Sequence, residues 1–205
     1  MKIDGVCIST DNTKLGIIPN LSLPAIRTCI KNPPCAKSCY AIRLAARYPA
    51  PRKAYQNNLH ILLSDSYRFF CAINKFISCY RPKYFRIHSS GDFNISKDNS
   101  INQDYLDQWM LIINQHPGIK FLAFTKCNQL NYSAAPKNFT VLYSAWFNYP
   151  IPELSPGIKG IAFVQDTKQS ETRIPSRAIQ CSGKCDSCFA CWNIPQGGAV
   201  VLPLH

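Results

Sequence analysis

Seven of the 11 cysteines in this chain lie in two short groups, and the thiolate side chain of cysteine binds soft metal ions. Both groups have gaps short enough for their sulfurs to converge on one centre. The first cysteine group is Cys29, Cys35 and Cys39, and the tail cysteine group is Cys181, Cys185, Cys188 and Cys191. The sequence therefore predicts that a bound metal is central to this protein.

The tail cysteine group gives the more specific signal. Its gaps of three, two and two residues are the spacing of a bacterial ferredoxin motif read backwards, which favours a [4Fe-4S] cluster. One alternative is a tetrahedral zinc site built from two close cysteine pairs. The simplest alternative is a set of reduced thiols that bind no metal. Seven thiolates do not complete two four-thiolate sites, so the sequence leaves open one cluster or two.

The other four cysteines are isolated in apolar segments, where buried core residues are expected. These are Cys7, Cys71, Cys79 and Cys127. One of them, or a histidine, is a possible ligand to complete the first cysteine group, whose cluster otherwise keeps an iron without a thiolate. A disulfide framework is disfavoured because the count of 11 is odd and the 46% apolar content is enough for a core.

The beginning of the chain has no apolar leader segment, and no uninterrupted apolar stretch of about 18 residues could span a bilayer. We therefore expect a cytoplasmic protein with no membrane partner, in which the cysteines stay reduced and can bind metal. No Walker-type, helix-turn-helix or zinc-finger motif is present, so sequence-specific reading of nucleic acid is not indicated.

The net charge of +12 is unevenly distributed, since no acidic residue occurs between Asp11 and Asp65. Three tyrosines of that interval, Tyr40, Tyr48 and Tyr55, alternate with positively charged residues. The positively charged residues are Arg43, Arg47, Arg52 and Lys53. Cations that bind phosphates beside rings that stack on bases are typical of single-stranded nucleic-acid binding. A solvated basic helix face is the alternative, and positive charge near the first cysteine group would also stabilise an anionic cluster.

His88 and Asp92 enclose a Ser-Ser-Gly turn at the end of a predicted strand. Because ligands bind beyond the carboxyl ends of parallel strands, the pair is a candidate for catalysis, as an acid–base couple, a cofactor contact or a donor beside a cluster. The alternative is a structural turn in which Asp92 caps the next segment and His88 is hydrogen-bonded beneath it.

The order of predicted elements indicates an α/β fold. Prolines exclude a regular helix from residues 21–40, which are predicted to be a ligand-bearing loop. Helices are predicted at 41–48, 54–78 and 102–115, and strands at 84–88, 119–125, 140–146, 160–164 and 199–204. We expect a single domain over residues 1–205, either an incomplete (β/α) barrel or an open, mostly parallel sheet. The cysteine-rich loops at 21–40 and 181–192 would bind the metal.

Several segments together resemble the phage gene product 88 family. They are Asn12-Thr-Lys-Leu-Gly16, Cys35-Ala-Lys-Ser-Cys39-Tyr-Ala41, Arg86-Ile-His-Ser-Ser-Gly-Asp-Phe93, and the tail cysteine group followed by Trp192. The resemblance covers the chain from about Asn12 to His205. It implies a protein of phages or other mobile elements that acts in the cytoplasm of the host cell.

The chain is also distantly similar to radical S-adenosylmethionine enzymes. It shares a cysteine loop that ends in Cys-Tyr-Ala after an early strand, and a Gly-acid motif after a later one. The similarity implies a divergent enzyme that uses S-adenosylmethionine with a [4Fe-4S] cluster. Those enzymes carry Cys-x3-Cys-x2-Cys, and Ile42 stands where the third cysteine would be, so Cys29 would have to replace it.

The sequence therefore leaves three hypotheses for the function. The protein is an iron–sulfur protein that contacts nucleic acid, a radical enzyme or a zinc-stabilised adaptor.

Overall fold

The computed structural model describes residues 1–95, 103–165 and 173–204, which include one mixed sheet and five α-helices. The strands are β1 Lys2–Ile3, β2 Val6–Ser9, β3 Asn20–Leu21, β4 Tyr84–Ile87, β5 Lys120–Thr125, β6 Phe139–Trp146, β7 Gly160–Gln165, β8 Ile179–Gln180 and β9 Gly198–Pro203. The helices are α1 Tyr40–Arg47, α2 Pro49–Ser64, α3 Ser66–Tyr80, α4 Gln103–Gln115 and α5 Cys185–Cys188, with short 3-10 helices at Ala36–Ser38 and Ala190–Trp192.

The strands pair in the order β1-β2-β3-β4-β5-β6-β7-β9-β8. Only β1 with β2 and β2 with β3 are antiparallel, and each later neighbouring pair is parallel. Among the described strands the sheet ends at β1 and β8 without closing. The prediction of an open, mostly parallel sheet is therefore confirmed, and the barrel alternative is not. The carboxyl ends of the parallel strands form one edge of the sheet, the carboxyl edge, and their amino ends form the amino edge.

The two faces of the sheet are covered by different parts of the chain. On β4, Phe85 points into the larger core, which α2, α3 and α4 complete with residues such as Trp109. Tyr84 and Arg86 lie on the opposite face because side chains alternate along a strand. There the tail segment, which contains the tail cysteine group, packs Trp192 onto the sheet. Burial on both faces explains why the parallel strands are continuous apolar runs in the sequence.

The structure differs from the predicted helices at two places. The helix predicted at 54–78 is wrong in its continuity, because α2 and α3 are separate and meet at Asp65. The Asp65 carboxylate accepts a hydrogen bond of 2.9 Å from the Arg68 amide and so caps the start of α3. The helix predicted from residue 54 also begins earlier, at Pro49, which lies in the first turn of α2, where its missing amide is tolerated. The helix predicted at 102–115 is α4, and its first predicted residue lies outside the described ranges.

Candidate metal centres

The first cysteine group lies in the connection that leaves the carboxyl end of β3, and Cys181 directly follows β8 at the same edge. The loop after β4 begins with His88, and the loop after β5 begins with Lys126. Since β3, β4 and β5 are consecutive neighbours in the sheet, the fold brings the loops that follow them together, and β8, which precedes Cys181, lies farther along the same edge. This is the edge at which ligands bind in open α/β sheets.

The loop after β4 holds the first cysteine group in place. Asn94 donates a side-chain hydrogen bond of 2.8 Å to the carbonyl of Cys29. Gly91 has a φ of +85°, and a Cβ at this position would come within 2.5 Å of Thr28 Oγ1 and 3.0 Å of Leu23 Cβ. A glycine is therefore required here both for its backbone conformation and for close contact with the cysteine loop.

Asp92 ties this loop to the end of β5. Its buried carboxylate accepts hydrogen bonds from the Phe93 amide at 2.8 Å, Thr125 Oγ1 at 2.7 Å and the Lys126 amide at 2.8 Å. Burial raises the pKa of Asp92, and the hydrogen bonds from Lys126, Thr125 and Phe93 oppose that effect. These contacts are those of a structural turn, and a catalytic role for Asp92 stays a prediction.

His88 is buried beneath the same loop, with 2% of its surface exposed and a φ of 55°. Its Nε2 lies 2.8 Å from the hydroxyl of Tyr105, and its Nδ1 has no hydrogen-bond partner among the described residues. Burial, and then the positive charge of Arg86, lower the pKa of His88 to about 3. The imidazole is therefore neutral near pH 7. Its catalytic role also stays a prediction.

The three thiols of the first cysteine group lie in one another's electrostatic fields. Burial, then the charge of Asp92 and, with smaller effects, Cys35 and Cys39 raise the pKa of Cys29 to about 12. Burial also raises the pKa of Cys35, while the positive charge of Lys126 opposes the rise. The carboxylate of Asp92 therefore acts on Cys29 and Cys35, and the ammonium group of Lys126 acts on Cys35.

Cys127 is one of the four isolated cysteines that the sequence favoured as core residues and left open as ligands for the first cysteine group. It is buried, with 3% exposed, so the core assignment holds. Burial raises its pKa, and the charges of Asp92 and Cys29 raise it further, so its thiol lies near the first cysteine group. Its position two residues after the end of β5 was the signal available in the sequence. It is the candidate for a fourth sulfur.

The tail cysteine group is held against the other face of the sheet. The amide of Cys185 donates a hydrogen bond of 2.9 Å to the carbonyl of Lys14. Phe189 stacks on Tyr84 of β4 with ring centres 4.3 Å apart, and the Trp192 indole donates a hydrogen bond of 3.2 Å to the β4 backbone. Aromatic packing thus fixes the segment on both sides of its last cysteine.

Arg86 contributes a buried positive charge to the tail cysteine group. Burial raises the pKa of Cys191 to about 11, and Arg86 opposes this rise. Burial also raises the pKa of Cys185, where the charges of Lys14 and Arg86 act in the opposite direction. The guanidinium lies 3.8 Å from the ring centre of Phe124. The sequence indicated Arg86 as part of a motif and, with Arg81 and Lys83, of a smaller basic cluster, but not as a charge beside the tail thiols.

The thiols are near one another but do not form a closed metal site. All 11 cysteines are unpaired, so none is used in a disulfide. In the part of the chain that the structure describes, no group of three or more His, Cys, Asp or Glu side chains has the arrangement of a metal site. The chemistry of the donors suits a soft metal, but their sulfurs would have to be drawn together to bind one.

The predicted nucleic-acid-binding cations lie on α1 and at the start of α2. All four side chains are exposed: Arg43, Arg47, Arg52 and Lys53. Arg47 lies 5.5 Å from the ring centre of Tyr48, which is 47% exposed. Tyr55 is partly buried, and the Tyr40 hydroxyl donates a hydrogen bond to the Ser89 carbonyl. Of the three predicted stacking rings, Tyr48 and Tyr40, which is 48% exposed, are thus more accessible than Tyr55.

The fold and these two sites define a class of protein: an open, mostly parallel α/β sheet with thiols at its carboxyl edge and a four-cysteine tail on one face. The family model of gene product 88 matches residues 7–194, a range that contains both cysteine groups. The chain therefore belongs to the gene product 88 family of phage gene products. No curated protein and no solved structure matches it significantly. Within the described residues, no helix is long and apolar enough to cross a membrane.

The buried His88 predicts a pH-dependent stability. Its folded-state pKa is lowered from 6.5 to about 3, so the unfolded chain takes up this proton first as the pH falls. Relative to His88→Gln, which keeps a hydrogen-bonding group, the unmodified protein should lose up to about 1.4 kcal/mol of unfolding free energy per pH unit below about pH 6.5. Urea unfolding of both proteins between about pH 7 and 4.5 measures the difference. A difference that does not change with pH would contradict the burial of His88.

Proposed function

We propose that this protein is an iron–sulfur protein whose tail cysteine group holds a [4Fe-4S] cluster, and that its basic helices contact nucleic acid. The observation that carries the first half is Arg86. Arg86 is 8% exposed, and its guanidinium lies in the fields of Tyr40, Cys191 and Cys185 and then of Asp92. Among the described residues no carboxylate is within ion-pair distance of it.

A permanently charged guanidinium is unfavourable in the interior unless an anion accompanies it. The described hydrogen bonds of Arg86 go to the neutral carbonyl of His88, at 3.4 Å, and its ring contact with Phe124 is also neutral. A cluster ligated by four thiolates carries net negative charge. Beside such a cluster Arg86 becomes a counter-charge, and the positive charge of Lys14 near Cys185 has the same effect.

The spacing of the tail cysteines favours iron–sulfur over zinc, although both centres are anionic when four thiolates bind them. The first cysteine group would hold a second cluster with three thiolates, unless Cys127 supplies the fourth. When bound, a [4Fe-4S] cluster supplies one-electron chemistry. The chain's own residues would provide the thiolates, the counter-charges and the exclusion of water.

Iron, sulfide and zinc content of the anaerobically purified protein tests the proposal. We expect about four irons and four sulfides per chain for one cluster, or about eight of each for two. Cys185→Ser with Cys191→Ser should remove about four irons because the tail cluster loses two ligands. Cys29→Ser with Cys35→Ser should remove iron only if the first cysteine group binds a cluster of its own.

The control replaces Cys71 and Cys79, exposed cysteines of α3, with serine and should leave the metal content unchanged. Arg86→Gln keeps every thiol but removes the counter-charge, so we expect its iron to be lost more readily to a chelator. About one zinc per chain with no iron or sulfide would contradict the iron–sulfur proposal and favour the zinc-stabilised adaptor.

The nucleic-acid half of the proposal rests on the exposed basic surface of α1 and α2. Arg43 and Arg47 are one helical turn apart, so both project from the same side of α1. Arg52 and Lys53 follow after the short break between α1 and α2. With Tyr48 beside Arg47, the surface offers cations for phosphates and a ring for a base, which suits single-stranded nucleic acid.

Binding of a labelled single-stranded oligonucleotide across a salt series tests this surface. Arg47→Ala with Arg52→Ala should weaken binding and reduce the slope of log K against log salt by about 1.4, because two phosphate contacts are lost. The matched control is Lys2→Ala with Lys75→Ala, which removes two cations located elsewhere in the chain. Absent or salt-independent binding by the unmodified protein would contradict the proposal.

A divergent radical S-adenosylmethionine enzyme is the second candidate function, and one observation favours it. The first cysteine group places three thiols together at the carboxyl edge, where three ligands would leave one iron of a cubane open to a cofactor. We expect the reduced holoprotein, with dithionite as electron donor, to cleave S-adenosylmethionine to methionine and 5′-deoxyadenosine. Cys35→Ser and Cys39→Ser should abolish the cleavage. Failure of the reduced, iron-loaded protein to do so would eliminate this candidate.

A further inference from the structure

A cavity of about 400 Å³ opens at the amino edge of the sheet, away from the strand ends that carry the first cysteine group. We call it the amino-edge groove. Its lining includes Lys120, Lys137, Lys159, Asn193 and Trp192. No Asp or Glu is among its lining residues in the part of the chain that the structure describes.

The three lysines are brought together by the parallel topology. Lys120 opens β5, Lys137 precedes β6 by two residues and Lys159 directly precedes β7. These strands are consecutive neighbours in the sheet, and neighbouring strands lie about 4.8 Å apart. Each connection returns the chain to the amino edge before the next strand, so three positive charges from distant parts of the sequence converge there.

The wall of the groove is fixed by hydrogen bonds. The ammonium group of Lys120 donates a hydrogen bond to the side-chain oxygen of Asn193. The side-chain nitrogen of Asn193 donates one of 2.9 Å to the carbonyl of Phe189. The carbonyl of Trp192 accepts a hydrogen bond of 3.1 Å from Thr140 of β6. The groove therefore has a formed wall, supplied by the segment that follows the tail cysteine group.

A second cavity of about 450 Å³ continues the positive surface along the same edge. Arg81 and Lys83 line it, and it shares Pro117 and Gly118 with the amino-edge groove. The amide of Lys120 donates a hydrogen bond of 3.0 Å to the carbonyl of Lys83. Lys83 of the second cavity therefore lies directly beside Lys120 of the amino-edge groove. From β4 to β7 the basic strip spans three interstrand spacings, or about 14 Å.

We propose that the amino-edge groove binds the phosphate backbone of a nucleic acid. A row of lysines without a carboxylate attracts a polyanion, and each ammonium group is a point charge that bonds phosphate without a fixed geometry. Trp192 is 3% exposed, so it offers no free ring on which a base could stack. The groove therefore contacts phosphates and does not read bases. This site is separate from the α1–α2 surface, so an experiment can disprove nucleic-acid binding at one of them and leave the other unaffected.

The test uses the full-length protein with all three lysines replaced by glutamine: Lys120→Gln, Lys137→Gln and Lys159→Gln. Affinity for a labelled single-stranded oligonucleotide of mixed sequence should fall at least tenfold at low salt. The slope of log K against log salt should fall by about 2, because three phosphate contacts at about 0.7 each are lost. Affinity should fall equally for oligonucleotides of different sequence.

Two control proteins make the result specific. Lys2→Gln, Lys31→Gln and Lys75→Gln together remove the same net charge from exposed positions outside the groove, and this protein should bind within twofold of the unmodified one. Lysine-to-arginine changes at the three groove positions keep the charge and should keep the affinity, which separates loss of charge from loss of folding.

Several outcomes would overturn the inference. They are equal binding by the groove variant and the unmodified protein, equal losses in the groove variant and its charge-matched control, and no binding by the unmodified protein. Inorganic phosphate and polyphosphate serve as competitors. Competition by millimolar inorganic phosphate as effective as that by the nucleic acid would show a site for free phosphate instead.

Discussion

The buried guanidinium of Arg86 is the constraint on which both candidate centres depend. It projects from β4 onto the face that the tail segment covers, while its neighbour Phe85 packs into the helical core on the other face. Its hydrogen bonds go to the carbonyl of His88, the first residue after β4, where the turn toward the first cysteine group begins. One strand therefore brings a positive charge to the tail thiols and a rigid turn to the other thiols.

The sheet keeps two kinds of surface apart, the thiols at its carboxyl edge and the lysines at its amino edge, and the tail segment contributes residues to both. It leaves the carboxyl edge at Cys181, crosses the face over β4 and reaches the amino edge at Asn193. The stacking of Phe189 on Tyr84 fixes this path. Only Trp192, which also lines the groove, separates Cys191 of the tail cysteine group from Asn193 of the groove wall.

The sequence predicted most of the sheet but not its short strands. The strands β4, β5, β6, β7 and β9 agree with prediction to within one residue at either end, because each is an apolar run buried on both faces. The strands β1, β3 and β8 have two residues each, too few for any periodicity. The break between α2 and α3 was missed because apolar positions continue across Asp65, and only its cap to Arg68 marks the boundary.

For the candidate site, cysteine spacing predicted the donors, and the structure adds the residues around them. Cys127 lies near Cys29 only because β5 is the sheet neighbour of β4, whose loop holds the first cysteine group. Arg86 faces the tail thiols for a similar reason: residues about 100 positions apart pack on one face. Spacing along the chain contains no information on such non-local pairing. The sequence therefore showed which atoms could bind a metal and did not show which charges surround them.

Those surrounding charges make the two cysteine groups chemically unequal. The tail thiols have the cations Arg86 and Lys14 beside them, and both charges favour the thiolate form and any anionic centre built from it. The first cysteine group has Asp92 beside it, which disfavours added negative charge, with Lys126 in opposition. Four thiolates on one metal centre concentrate negative charge, so the tail is the better environment for a fully ligated cluster. Three thiolates concentrate less negative charge. The mixed charges at the carboxyl edge therefore suit a centre with three thiolate ligands and one coordination position open to another ligand.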